Sequence, residues 1–151
     1  MNRIHQGSGN GSYRTMTKYC TDSSYGTVDN KTVLDPEDDV AHVKWGGSWR
    51  MPTLDEQNEL LNNCTWTWTI QNGVNGYRVT SKTNGNSIFF PAAGYRNGTG
   101  VYKGGDDGSC WSSSLYSSGS SLAYYLYFDS DLSDRYGNDR YGGFPVRPVS
   151  K

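Results

Sequence analysis

The spacing of hydrophobic residues along this chain changes once, near residue 64, and the change separates a helical part from a strand part. Before it, Leu54, Gln57, Leu60, Leu61 and Cys64 recur at helical intervals, which predicts an amphipathic helix with that stripe on the core. Its start is marked by Thr53-Leu54-Asp55-Glu56, a capping-box pattern in which Thr53 and Glu56 satisfy each other's amides. An earlier helix is predicted from Asp35-Pro36-Glu37-Asp38, with Asp35 as N-cap and acids in the first turn. Val40, Ala41 and Val43 supply its apolar side, and Gly46-Gly47 end it.

After Cys64 the period falls to two. Thr65-Trp66-Thr67-Trp68-Thr69-Ile70 alternates strictly, as a half-buried strand does. A turn over residues 72–76 leads into a return strand over 77–80, and a second turn over 83–86 leads into a strand over 87–90 that stops at Pro91. Residues 92–109 are rich in Gly, Asn and Asp and predict long loops. A further strand covers 122–128, with Leu122, Tyr124, Leu126 and Phe128 on one side and Ala123, Tyr125 and Tyr127 on the other. A last short strand is expected over 144–149, limited by Pro145 and Pro148. Helices early and antiparallel strands late make an α+β fold with long loops. The chain divides into a Gly/Ser/Asn-rich arm or truncated lead-in over 1–16 and a single domain over 17–151.

Composition sharpens this picture. Hydrophobic residues make up only 34%, against 12 Tyr and 19 Gly, and mean hydropathy is −0.77. The packing mass is therefore aromatic, which argues for a loop-rich mixed fold and against disorder. Net charge is −1 with no basic stripe, so nucleic acid is not an expected partner. The sequence contains no apolar run near 18 residues and no signal-peptide core, so membrane insertion is not expected either. Three cysteines, Cys20, Cys64 and Cys110, leave at least one thiol over and show no CxxC spacing. Buried or incidental thiols are favoured over a Cys20–Cys64 bridge.

Candidate chemistry is thin. His5 lies in the arm, and His42 sits in the first helix without a nucleophile motif around it. Gly104-Gly105-Asp106-Asp107-Gly108 lacks the lysine and context of a phosphate loop. Asp129-Ser130-Asp131-Leu132-Ser133-Asp134 begins like a calcium loop, but Asp134 stands where glycine is required and Arg140 where a bidentate Glu belongs. The expectation is a non-enzyme without cofactor, catalytic residue or metal ligand.

The positive signal is at the C-terminal end. Of the 31 residues from 111 to 141, nine are Ser and six Tyr, with four Asp, two Arg, two Gly and one Asn. Binding loops favour this mix, because Tyr gives broad amphipathic contact at low entropic cost and Ser, Gly and Asn adapt their hydrogen bonds. Residues 112–150 also contain no Lys, Glu, Gln, Met or Trp, although the first 111 residues contain nineteen of them. All residue types that do occur there are reachable with codons ending in C, the outcome of randomising the adenines of an AAC codon.

Several segments together resemble a known family. Trp49-Arg50-Met51-Pro52-Thr53-Leu54-Asp55-Glu56 looks like a helix opening in the C-type-lectin-like fold of formylglycine-generating-enzyme-type domains. Trp45-Gly46-Gly47-Ser48, Asn63-Cys64-Thr65-Trp66-Thr67-Trp68, Phe90-Pro91-Ala92-Ala93-Gly94-Tyr95-Arg96, Trp111-Ser112-Ser113-Ser114 and Val146-Arg147-Pro148-Val149 are similar to a narrower set. That set is the major paralogous domain family of Bacteroidetes-type bacteria and their phages. Some members of the wider fold resemble variable proteins of diversity-generating retroelements, in which a rigid lectin-like scaffold displays adenine-mutated positions. The resemblance implies scaffold at 111–114, 122–128 and 140–149, with display positions over 116–121 and 129–139. The candidate ligand-binding residues are Tyr102, Asp107, Tyr116, Ser117, Ser118, Ser120, Ser121, Asp129, Asp131, Leu132, Ser133, Asp134, Arg135, Tyr136, Asn138 and Asp139. The chain lacks the paired C-terminal redox cysteines of the enzyme branch and the Glu-Pro-Asn and Trp-Asn-Asp motifs of calcium-dependent sugar binding. The expected function is non-catalytic binding of a protein or glycan ligand on a cell, secreted or phage surface. The alternatives are a structural module of a larger surface protein and, more remotely, a formylglycine-generating-type enzyme.

Overall fold

The computed structural model describes residues 14–97 and 99–150. Among them are two short helices and eight strands in three antiparallel sheets, a mixed α+β fold. Most of the lead-in expected over 1–16, His5 included, lies outside the described residues. Its last residue does not behave as an arm: Met16 is buried and bridges Gly26.

Helix α1 spans Val40–Trp45, a turn later than the sequence pattern suggests. The cap is Asp39, whose Oδ1 accepts from the amides of Ala41 and His42 while Oδ2 accepts from Met51. Asp35 cannot cap because its carboxylate is taken by Lys31 and the Tyr19 hydroxyl, leaving 36–38 as a turn. Helix α2 spans Leu54–Asn63 and carries the expected capping box between Thr53 and Glu56. Arg50 grips the same Glu56 with two short bonds of 2.6 and 2.7 Å, so the start of α2 is fixed by a cap and a forked ion pair together.

Strands β1 (Cys64–Gln71) and β2 (Val74–Ser81) form a tight hairpin. Its turn is only Asn72-Gly73, both at positive φ (51° and 78°), the two-residue geometry that matches strand twist. β3 (Ser87–Pro91) pairs with the other edge of β2. The stretch 92–109 is more ordered than its Gly and Asp content suggests. It holds a small hairpin of β4 (Tyr95–Asn97) and β5 (Gly100–Tyr102), then the start of β6 (Asp107–Leu115). β6 pairs with β7 (Leu122–Asp129), and β7 with β8 (Ser133–Asp139). No strand forms over 144–149. Two prolines leave that segment extended, tied by one bridge between Arg50 and Val149 and by the Trp111 amide donating to Pro145.

Strand β6 is covered on both faces, as its buried pattern shows. One face carries Cys110, Leu126 and Phe128 into a core with Tyr77, Val79 and Phe90, closed by Leu60, Leu61 and Trp66. The other packs Trp111 and Ala123 against Ala41, Met51 and Phe144. The register of β6 breaks between Trp111 and Leu115, and three serines replace the lost ladder bonds. Ser112 Oγ donates to the Tyr124 carbonyl, Ser113 Oγ to the Pro52 carbonyl, and Ser114 Oγ accepts from the Leu54 amide. That last bond satisfies one of the otherwise orphaned amides at the start of α2. Serine is therefore used here as joinery, and Trp111-Ser112-Ser113-Ser114 is scaffold.

Candidate functional site

Antiparallel register places directly opposed residues on one sheet face. On the Trp111 side of the β6–β7–β8 sheet, Tyr125 lies opposite Tyr136, Tyr127 opposite Asp134, Ala123 opposite Asn138, and Asp107 opposite Asp129. The inner end of this face is closed by Phe144, which stacks on Trp111 at 4.4 Å. The outer end is open, and a continuous row of rings crosses it. Tyr102 stacks on Tyr95 at 5.7 Å, Tyr95 meets Phe144 at 5.7 Å, and Phe144 meets Tyr125 at 4.8 Å. From Tyr125 the row continues to Tyr136 at 6.3 Å and from there to Tyr127 at 6.1 Å. Tyr102 is 50% and Tyr136 44% exposed, and Tyr95, Tyr125 and Tyr127 are half-buried.

The small hairpin that presents Tyr95 and Tyr102 is set by Gly94. Its φ is +62°, and a Cβ there would lie 2.0 Å from the Tyr102 carbonyl oxygen. Only glycine allows this approach, and the Gly94 amide then donates to Asp107 at the head of β6. The hairpin is thereby bound to the sheet, with Tyr95 beside Phe144 and near Tyr125.

Carboxylates surround the rings. Asp129 closes its own turn, with Oδ1 accepting from the amides of Asp131 and Leu132 at 2.9 and 3.0 Å and Oδ2 accepting from the Tyr127 hydroxyl at 3.0 Å. The Asp131 amide foremost holds the Asp129 carboxyl below the ordinary range. Asp107 is 7% exposed, and its Oδ1 has no hydrogen-bond partner. Burial raises its pKa, the nearby Asp106 and Asp129 add to the rise, and Lys103 and Tyr127 oppose it. Asp134 is exposed and pairs loosely with Arg135 at 3.7 Å. The rings respond in kind: burial raises the Tyr125 and Tyr127 hydroxyls, and the bond to Asp129 raises Tyr127 further.

The candidate residues thus separate into groups. Tyr102, Asp107, Asp129, Asp134, Tyr136 and Asn138 share the ring face, with Asp131 and exposed Leu132 in the turn beyond it. Tyr116 and Ser117 lie on the opposite side of β7: Tyr116 covers Gly137 and tilts against Tyr124 at 4.6 Å, and Ser117 Oγ lies 3.0 Å from the Tyr124 hydroxyl. Ser133, Arg135 and Asp139 share that side of β8 by register. Ser118 is exposed at the turn between β6 and β7.

Two expectations need correction. Ser120 is 1% exposed; its hydroxyl accepts from the Thr21 amide and its carbonyl accepts from Arg140, so it fastens the scaffold. The neighbouring Ser121 is half-buried, and its carbonyl accepts from the Arg140 amide. The segment 129–139 is not a free loop either, because residues 133–139 form the edge strand β8. Tyr95, Tyr125 and Tyr127 were not among the candidates. For Tyr125 and Tyr127 the signal lay in the alternation of β7, whose second parity carries two tyrosines.

A separate cavity of about 610 Å³ lies on the far side of the sheet, lined by Gln57, Leu60, Phe90, Leu126, Arg147 and Val149 among others. Cys110 borders it, and full burial pushes its thiol up to about 12. All three cysteines are free thiols. No helix among the described residues is long and apolar enough to cross a membrane. The only close acid group able to hold a metal among the described residues is Asp35, Glu37 and Asp38, and Lys18, Lys31 and Tyr19 already occupy two of its members. No curated protein and no solved structure matches the chain. One family model does, over residues 68–149, from the middle of β1 through all the strands of the ring face. The chain belongs to that family, described as Domain of unknown function (DUF8237).

Proposed function

We propose that this chain is a non-catalytic ligand-binding domain of the C-type-lectin-like kind that displays the ring face of its β6–β7–β8 sheet to a protein or glycan surface. The observation that carries this reading is the row from Tyr102 to Tyr127, six rings in contact with two of them half-exposed or nearly so. Tyrosine rows of this kind give large contact area with little side-chain entropy to lose. A merely space-filling module would have no reason to leave Tyr102 and Tyr136 bare beside one another's neighbours. Rigidity supports the same reading, since the rings stand on strands and the Trp111 corner is fixed by three serine hydroxyls.

Diversification by a retroelement is part of the proposal. The open positions Asp131, Leu132, Asp134 and Tyr136 fall inside the stretch that lacks Lys, Glu, Gln, Met and Trp. The buried thiol of Cys110 argues against oxidase chemistry, because a thiol held near 12 is protonated at neutral pH. Display at a cell or phage surface belongs to the same proposal. The test is glycan-array and protein-array binding of the domain beside a Tyr102→Ala/Tyr136→Ala double variant. Retention of a ligand that the double variant loses is expected; equal binding by both proteins would overturn the proposal. The coding DNA gives a second test, since diversification requires a template repeat matching the codons of residues 112–139.

A further inference from the structure

The ring face is not electrically neutral. Asp106, Asp107, Asp129, Asp131 and Asp134 lie on it or at its edge, against Lys103 and Arg135. Asp129 is fixed as an anion by two amides and the Tyr127 hydroxyl. The three carboxylates of the face itself do not converge as a metal site would, because the one close acid group among the described residues lies elsewhere. Spaced acids between ring faces suit a larger organic cation instead. Ring centroids 6.1 and 6.3 Å apart put a group seated among Tyr125, Tyr127 and Tyr136 within cation–π range of more than one ring.

Asp107 adds an independent pointer. It is over nine-tenths buried, register puts it on the same face as Tyr127, and its Oδ1 meets no donor. A buried carboxylate oxygen without a donor is costly, so this acceptor favours a cationic donor over the face in front of it. A planar guanidinium carries five N–H donors in a fixed fork and stacks on aromatic faces, which an ammonium does less well.

Resting on the reading of this face as a recognition surface, we infer that its ligand is a basic segment of a partner protein, with an arginine side chain seated among Tyr125, Tyr127 and Tyr136 and reaching the Asp129 and Asp134 carboxylates, with the buried Asp107 behind them. Charge complementarity excludes an acidic partner from the same seat.

The test is fluorescence anisotropy of the whole chain with labelled hexa-arginine, hexa-lysine and hexa-glutamate peptides at low salt. Expected is binding of hexa-arginine above hexa-lysine and none of hexa-glutamate. Asp134→Asn and Tyr136→Ala should each weaken hexa-arginine binding about three- to tenfold. Glu59→Gln, an exposed acid on α2, should leave it unchanged. The inference is overturned if hexa-arginine does not bind, if hexa-glutamate binds as well, or if Glu59→Gln weakens binding as much as Asp134→Asn. An array ligand lost with Tyr136→Ala but indifferent to Asp134→Asn would overturn the cation while leaving the recognition face standing. Array and peptide binding both indifferent to Tyr136→Ala would remove both.

Discussion

Glu56 is the residue through which the stability of this fold should respond most plainly to pH. Its carboxylate receives two bonds from Arg50 and one from the Thr53 amide. Arg50 is the larger cause, and together they hold Glu56 at about 2 instead of its ordinary 4.5. Each tenfold change in an equilibrium corresponds to about 1.4 kcal/mol, so the undiscounted difference is about 3 kcal/mol. The paired side chains are 31% and 34% exposed, and solvent screening reduces the figure to about 1–2 kcal/mol. Because the folded pKa is depressed, this stabilisation is complete above about 4.5, declines as pH falls, and is gone below about 2. Glu56→Gln keeps an acceptor for Thr53 but removes the charge. Urea denaturation should show the variant weaker by about 1–2 kcal/mol at pH 7 and nearly equal to the parent close to pH 2. A variant as stable as the parent at pH 7, or an equal deficit at both pH values, would refute the reasoning.

Other consequences concern the core and the thiols. Trp111 is fully buried, stacks on Phe144 and donates to the Gly142 carbonyl, so Trp111→Ala should cost about 3–5 kcal/mol. In a thermal melt that is a loss of about 6–20 °C for a chain of this size, and a loss under about 3 °C would contradict it. A Cβ on Gly108 would lie 2.0 Å from Phe128 Cζ, in a ring with no exposure. Gly108→Ala should therefore destabilise by about 2–4 kcal/mol in urea melts, whereas Gly104→Ala, which meets only Val101 at 3.9 Å, should be mild. Cys110 is buried with its thiol raised to about 12, and Cys64 is half-buried. In native protein at pH 8, iodoacetamide should label Cys64 first and leave Cys110 intact until denaturant is added, as peptide mass mapping would show.

Much of this was legible in the sequence, and the failures share a cause. The capping box at Thr53, the hairpin around Asn72-Gly73 and the alternation of β7 are local rules, and each produced its element. Asp35 looked like a cap by the same local logic, yet Lys31 and Tyr19, four and sixteen residues away, claimed its carboxylate. β6 escaped because both of its faces are buried, so a Gly-Ser-Cys-Trp-Ser-Ser-Ser run carries no period-two signal. Its serines hydrogen-bond to Pro52, Leu54 and Tyr124, partners no local pattern reveals. At the candidate site, composition pointed to a stretch of chain but could not sort its residues. Ser120 and Tyr136 look alike as Ser/Tyr loop residues, and only the fold shows one fastened under Arg140 and the other open beside Tyr125. Tyr95 and Tyr102 join the same face from outside the Tyr/Ser-rich stretch through the Gly94 approach.

Hydrogen–deuterium exchange of the whole chain, with and without a ligand retained on the arrays, tests the central claim most directly. The predicted footprint is slowed exchange in β5, the outer half of β7 and β8, around Tyr102, Tyr127 and Tyr136, with α2 and the cavity beside Leu60 unchanged. Protection confined to α2, β3 and the segment around Arg147, with β8 exchanging as before, would contradict it.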